Sequence, residues 1–108
     1  MAFFGDGACI AYVNFNGATD AIRESRRISS ITDMGGADYR INFSSNFPNT
    51  NFQWAGAGAR PSNDPNSWVG EFNGDRTTGR IKTRWFDNGA TQRTPDFAMC
   101  MFTANDFT

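Results

Sequence analysis

The sequence predicts an all-β domain, an antiparallel β-sandwich of about seven strands, on three observations. Leucine is absent from the 108 residues, whereas Phe occurs 11 times. Leucine is among the better helix formers, and Phe, Trp, Tyr, Ile, Val and Thr favour strands. Polar and apolar residues alternate with period two in one segment after another. Turn-forming residues separate these segments about every 8–15 positions, a spacing that suits a sandwich or, as the alternative, a small closed barrel.

The first predicted strand is Ala8–Asn16, with Cys9, Ala11, Val13 and Phe15 on one face and Asn16-Gly17 as its turn. A short run from Ile22 through Thr32 is rich in Arg and Ser and anchored by Ile22, Ile28 and Ile31. Paired glycines in Asp33–Ala37 supply positive φ for a turn. Asp38–Ser44 alternates cleanly, placing Tyr39, Ile41 and Phe43 inward and Arg40 and Asn42 outward. Phe47-Pro48-Asn49 breaks the pattern, because proline cannot donate to a ladder. Asn51–Ala57 resumes it with Phe52 and Trp54 on one face, and Gly58–Asn66 reads as an exposed loop.

A hairpin follows, Ser67–Phe72 and Thr77–Phe86 around Asn73-Gly74, a pair that favours a tight mirror-image turn. That register puts Trp68 and Phe72 on one buried face with Ile81, Thr83 and Trp85, and leaves Arg80, Lys82 and Arg84 outside. Asp87–Pro95 is a second polar loop, and Asp96–Thr103 a last strand with Phe97, Met99 and Met101 on one face. The implied organisation is an arm at 1–7, a sandwich at 8–104 and a tail at 105–108.

Composition narrows the function. The formal net charge of −1 gives no basic excess for a phosphate backbone, so no nucleic-acid partner is expected. No apolar run approaches the ~20 residues of a membrane helix, and the start of the chain lacks the features of a secretory signal. Histidine is absent, so a Ser-His or Cys-His catalytic pair is excluded. The aspartates sit in or beside predicted turns, where cap chemistry accounts for them. Gly56-Ala57-Gly58-Ala59 precedes no helix and is no phosphate loop. The expectation is a non-enzyme with no cofactor and no metal. Cys9 and Cys100 can pair only if the terminal strands are neighbours, and two reduced, buried thiols are the favoured alternative.

Three features invite a binding role. Arg80, Lys82 and Arg84 form a basic stripe beside Trp85 and Phe86, suited to a glycan or a single strand. Its plainer reading is a solvated face whose charges pair with Glu71 or Asp75 across strands. The two polar loops carry Arg60, Asp64, Asn88 and Arg93, which hydrogen-bond hydroxyls. If these loops emerge at one end of the sandwich they form a binding edge, and otherwise they are connections. Phe3, Phe4 and Phe107 flank the terminal strands and dock either on the domain itself or on a neighbouring subunit.

One stretch is distinctive in order. Tyr12-Val13-Asn14-Phe15-Asn16-Gly17 is followed by Ala21-Ile22-Arg23-Glu24-Ser25 and Ile28-Ser29-Ser30-Ile31-Thr32-Asp33. Asp38-Tyr39-Arg40-Ile41-Asn42-Phe43 and Phe47-Pro48-Asn49-Thr50-Asn51-Phe52 come next. This order resembles a β domain frequent at the C-terminal ends of tail fibres of tailed bacteriophages, marine and cyanobacterial phages among them. The correspondence runs from about Cys9 to Thr103, dense in the first half and loose in the second. The resemblance implies a virion structural protein, often a homotrimer, made in the host cytoplasm and located in the tail. It implies contact with other tail proteins and a receptor-binding role toward a host-surface glycan, and it carries no catalytic residues. A capsid decoration or head-fibre protein and a non-viral carbohydrate-binding module are the alternative readings. Fibre proteins place this domain after a long attachment region, whereas here the first strand begins within about eight residues of Met1. If this is a whole gene product, attachment falls to the domain itself or to its aromatic ends.

Overall fold

A computed structural model describes residues 9–60 and 66–104. The described residues form eight strands: β1 (Cys9–Phe15), β2 (Ile22–Arg26), β3 (Ile28–Gly35), β4 (Asp38–Phe43), β5 (Gln53–Ala59), β6 (Asn66–Glu71), β7 (Arg80–Asp87) and β8 (Phe97–Thr103). They form two four-stranded antiparallel sheets, ordered β2-β1-β8-β5 and β3-β4-β7-β6. The sandwich expectation therefore holds. The eighth strand comes from the Arg/Ser-rich run, which the sheet-switching residue Arg27 divides in two. Its φ of +61° turns the chain from the first sheet into the second, and its carbonyl accepts the Ser44 amide at 2.9 Å.

The inner faces of β1, β4 and β7 are the expected alternating residues, and on β8 the inner set is the one the sequence reading did not name. Ala11, Val13 and Phe15 of β1 meet Tyr39, Ile41 and Phe43 of β4, with Ile81 and Trp85 of β7 and Ala98, Cys100 and Phe102 of β8. Aromatic rings fill what leucines fill elsewhere. Phe15 lies edge-on to Tyr39 and Trp85 with centroids 5.3 and 6.4 Å apart. A second cluster joins Phe43, Phe47, Phe52 and Phe102, and Phe47 stacks on Phe52 at 4.6 Å. The polar groups around Trp85 are paired in series: Trp85 Nε1 donates to Thr83 Oγ1, which donates to the Tyr39 carbonyl. The Tyr39 hydroxyl donates to the Gly17 carbonyl at 2.7 Å.

The predicted register of the central hairpin is corrected. Val69 stands opposite Trp85 and Glu71 opposite Thr83, so Trp68, Gly70 and Phe72 lie outside with Phe86, Arg84 and Lys82. Trp68 is 50% exposed, and only Ile81 of the predicted buried pair is in the core. The reason is the connection. Asn73–Asp75 forms a 3-10 turn, and a second turn is closed by a Thr77–Arg80 bridge. The extra residues change the parity that a tight Asn-Gly hairpin would impose.

Across one side of the sandwich, β5 approaches β6. Gly56 makes this possible: a Cβ there would lie 2.8 Å from the Trp54 ring and 3.1 Å from Val69. Trp54 Nε1 donates to Glu71 Oε1 at 2.7 Å. Arg76 grips Glu71 through two bonds of 2.8 and 2.9 Å and also donates to the Thr50 and Phe52 carbonyls. One guanidinium thus ties the start of β5 to the end of β6.

The terminal strands β1 and β8 are neighbours, but Cys100 is aligned with Val13 and is a free, buried thiol. That is the arrangement of the favoured alternative for this cysteine.

Candidate binding face

The predicted binding residues separate into three groups. Trp85 is corrected outright: it is fully buried, its indole held by Phe15 and Thr83, and no ligand can stack on it. Alternation puts it on the core side of β7, while its neighbours Arg84 and Phe86 face outward.

The loop residues lie together at one end. Asn66 pairs with Asp87, and the Asp96 amide donates to the Ala59 carbonyl, so Arg60, Asn88 and Arg93 stand at the same end of the sandwich. The strands extend further than predicted, claiming Gly58, Ala59 and Asn66 from the first loop. Asp64, Phe3, Phe4 and Phe107 lie outside the described residues. In the second loop Asp87 Oδ1 accepts from the Gly89 and Thr91 amides at 2.8 and 3.0 Å, and Oδ2 accepts from Arg93 Nε at 3.0 Å. The Thr91 amide foremost, then Gly89 and Arg93, hold the Asp87 carboxyl below its ordinary value despite the opposing effect of burial. Arg93 is thus engaged in shaping its own turn, and Asn88 is exposed on it.

The third group forms a continuous surface on the outer face of the β3-β4-β7-β6 sheet. Its cations are Arg40 from β4 and Arg80, Lys82 and Arg84 from β7. Arg84 is held by Asp38 through Nε at 2.7 Å and Nη2 at 2.8 Å. Asp75 accepts from Arg40 at 2.9 and 3.0 Å and from Arg80 at 3.2 Å. The Arg40 bond is foremost in keeping the Asp75 carboxyl below its ordinary value. The stripe is therefore partly neutralised, through Asp75 as its plainer reading anticipates and through Asp38, which that reading did not name, whereas Glu71 is taken by Arg76 instead. Lys82 has no carboxylate partner among the described residues, and its ammonium lies 4.5 Å from the centroid of Phe72.

Beside these charges stand the aromatics. Trp68 and Phe86, opposite each other on β6 and β7, stack at 3.7 Å and 13°. Two positions along β6, the Arg84 guanidinium lies 4.8 Å from the Phe72 ring. Gly70 sits between Trp68 and Phe72, and its missing side chain leaves a depression of about 250 Å³ lined by Trp68, Gly70, Glu71, Phe72, Arg84 and Phe86. The sequence reading missed Trp68 and Phe72 here. Trp68-Val69 offers an apolar residue to either face, so the local pattern does not decide the parity.

The opposite outer face, on the β2-β1-β8-β5 sheet, is of another kind. Tyr12, Met101 and Ala55 align across three strands, and Asn14, Met99 and Ala57 align in the next row. Phe97 of β8 and Met101 are 39% and 57% exposed. A depression of about 240 Å³ is lined by Ala55, Gly56, Ala57, Met99 and Met101. The residues predicted to share one face of the last strand do share it, and it is this outer one.

Among the described residues no group of three acidic, Cys or His side chains is placed to hold a metal ion, and no helix is long and apolar enough to cross a membrane. Comparisons with protein families, with curated proteins and with solved structures found no match. Fold and surface chemistry define the class as a β-sandwich with one outer face that is apolar over β8 and β5 and charged over β2, and one that is aromatic and cationic.

Proposed function

We propose that this protein is a structural component of a tailed-phage virion, a tail-fibre or receptor-binding tip domain that assembles as a homotrimer through the outer face of its β2-β1-β8-β5 sheet. The observation that carries the assembly reading is the run of Met99, Met101, Ala55 and Ala57 beside exposed Phe97. A contiguous apolar sheet face with small side chains on its outermost strand is a surface that soluble chains cover by association. The phage assignment rests on the resemblance carried by Tyr12–Gly17, Ile28–Asp33 and Asp38–Phe43.

Mass photometry at sub-micromolar and sedimentation at micromolar concentration are expected to give three times the 12.0 kDa chain mass. The double variant Ala57→Glu with Met101→Glu, both on the outer face, is expected to give a folded monomer. Monomer alone in the parent at micromolar concentration overturns the assembly reading. Cryo-electron microscopy of the encoding virion tests location: density in the tail supports the assignment, and density on the capsid moves the protein to a decoration or head-fibre role.

A further inference from the structure

We infer that the depression over Gly70 is a binding subsite for an acidic sugar, a pyranose ring bearing a carboxylate, with Trp68 as the stacking surface and Lys82 and Arg84 as the carboxylate partners. The inference deepens the proposed function by naming a ligand class, and it rests on that reading only for the biological source of the sugar.

Exposure comes first. Among the described residues Trp68, at 50%, is more exposed than Phe97 at 39% and than every ring of the core. Here one face of Trp68 is occupied by Phe86 at 3.7 Å, and its exposed surface borders the depression. The stacked partner holds the indole, so a ligand meets a surface already ordered and little side-chain freedom is lost on binding.

The space is also specific to the sequence. Trp68 and Gly70 of β6 and Phe72 just beyond its end occupy alternate positions on one face, and any side chain at Gly70 would occupy the gap between the two rings. A Cβ there has nothing nearer than the Trp68 ring at 3.8 Å, so neither packing nor backbone geometry demands glycine. The gap is the feature left to explain, and its volume of about 250 Å³ suits one sugar ring more than a drug-sized ligand.

Charge then selects the class. Four cations, Arg40, Arg80, Lys82 and Arg84, share this face with two carboxylates, Asp38 and Asp75, in a chain of net charge −1. The positive excess is local. Asp38 engages Nε and Nη2 of Arg84 and leaves Nη1 outside that fork, and Lys82 meets only the Phe72 ring among the described residues. Arg84 lines the gap; Lys82 stands beside it, against the Phe72 ring, so a carboxylate at the Phe72 end of the gap can accept from both, while Glu71, which also lines it, has its carboxylate taken by Trp54 and Arg76. A single strand of nucleic acid asks for a longer track of cations and several stacking rings, and this face offers one exposed indole. The acidic sugar is the better fit.

The test is titration of the purified protein with oligogalacturonate, with maltooligosaccharide of equal length and with a thymidine oligonucleotide, followed by tryptophan fluorescence and calorimetry. Oligogalacturonate is expected to bind at least about tenfold more tightly than the neutral sugar or the oligonucleotide, with affinity falling as salt rises. Gly70→Val, which fills the gap, and Trp68→Ala are each expected to weaken it roughly tenfold or more, with circular dichroism unchanged. Lys82→Gln is expected to reduce the preference for the acidic over the neutral sugar. Absence of oligogalacturonate binding, equal binding of both sugars, tighter binding of the oligonucleotide, or full binding by Gly70→Val each overturns the inference. The Ala57→Glu, Met101→Glu variant separates the two readings. If it binds oligogalacturonate as a monomer, the subsite stands whatever becomes of assembly. If the parent is trimeric and binds no sugar, the assembly reading survives alone.

Discussion

Arg76 does more for this fold than any other single cation described. Its guanidinium bonds the Glu71 carboxylate twice and the Thr50 and Phe52 carbonyls once each, and lies 4.0 Å from the centroid of the Phe52 ring. Burial pushes the Glu71 carboxyl up, but the Arg76 and Trp54 hydrogen bonds and the Arg76 charge outweigh it, and the group lies below its ordinary value. Because this pair is largely shielded from solvent, removing one partner leaves the other stranded. Arg76→Ala is expected to cost about 2–4 kcal/mol, read as a fall of roughly 10–20 °C in melting temperature. Arg80→Ala, whose contact with Asp75 is more open, is expected to cost under about 1 kcal/mol. Equal effects of the two would show that the clamp adds nothing beyond a surface ion pair.

Strands β5, β6 and β7 set the faces on which both proposals depend. Gly56 leaves room for the Trp54 ring and Val69 between β5 and β6, and even Gly56→Ala is expected to destabilise by about 1–3 kcal/mol through overpacking. Gly70→Ala, on the outer side of β6, meets only ordinary van der Waals contact and is expected to leave the melting temperature within a few degrees of the parent. In the same hairpin, Trp85→Ala should unfold or severely weaken the protein, by about 3–5 kcal/mol. Trp68→Ala removes an exposed stack and should cost about 1–2 kcal/mol. Thermal denaturation of the two tryptophan variants therefore reads the register directly, and reversal of their order would restore the tight-turn pairing.

On the scale of the molecule, the titrating groups set the pH range of stability. With no histidine, nothing in the chain's side-chain inventory titrates in the neutral range except by large perturbation. Glu71, Asp75 and Asp87 all lie below their ordinary values in the folded protein. As pH falls, the unfolded chain takes up protons first, so their contribution is present above about pH 5 and is lost as pH falls through about 4 and below. At the other end, burial pushes the Tyr39 hydroxyl up to about 12 and the Cys100 thiol well above its ordinary value. Those protons are held by the folded state, so stability is lost as pH rises past about 9, where the unfolded chain begins to ionise. Melting temperature against pH is expected to be flat between about 5.5 and 8 and to fall on both sides. A steep slope through neutrality would contradict this assignment of groups.

The sandwich class, most strand positions and the inward set Tyr39, Ile41 and Phe43 follow from the sequence alone, because alternation within one strand is a local property that burial of one face enforces. The outward course of Arg80, Lys82 and Arg84 and the pairing of Arg80 with Asp75 were legible for the same reason. Three matters were decided only by tertiary structure. Arg27 splits one run into two strands because its carbonyl and positive φ serve a change of sheet, which composition does not encode. Trp68 and Phe72 go outside because the 3-10 turn and the Thr77–Arg80 bridge set the parity of β6 against β7. Since Val69 can fill the core as well as Trp68, the local pattern is degenerate, and packing against Trp54, Gly56 and Trp85 breaks the tie. The aromatic-cationic face is thus a consequence of register, a long-range quantity, and no window of sequence around Trp68 contains it.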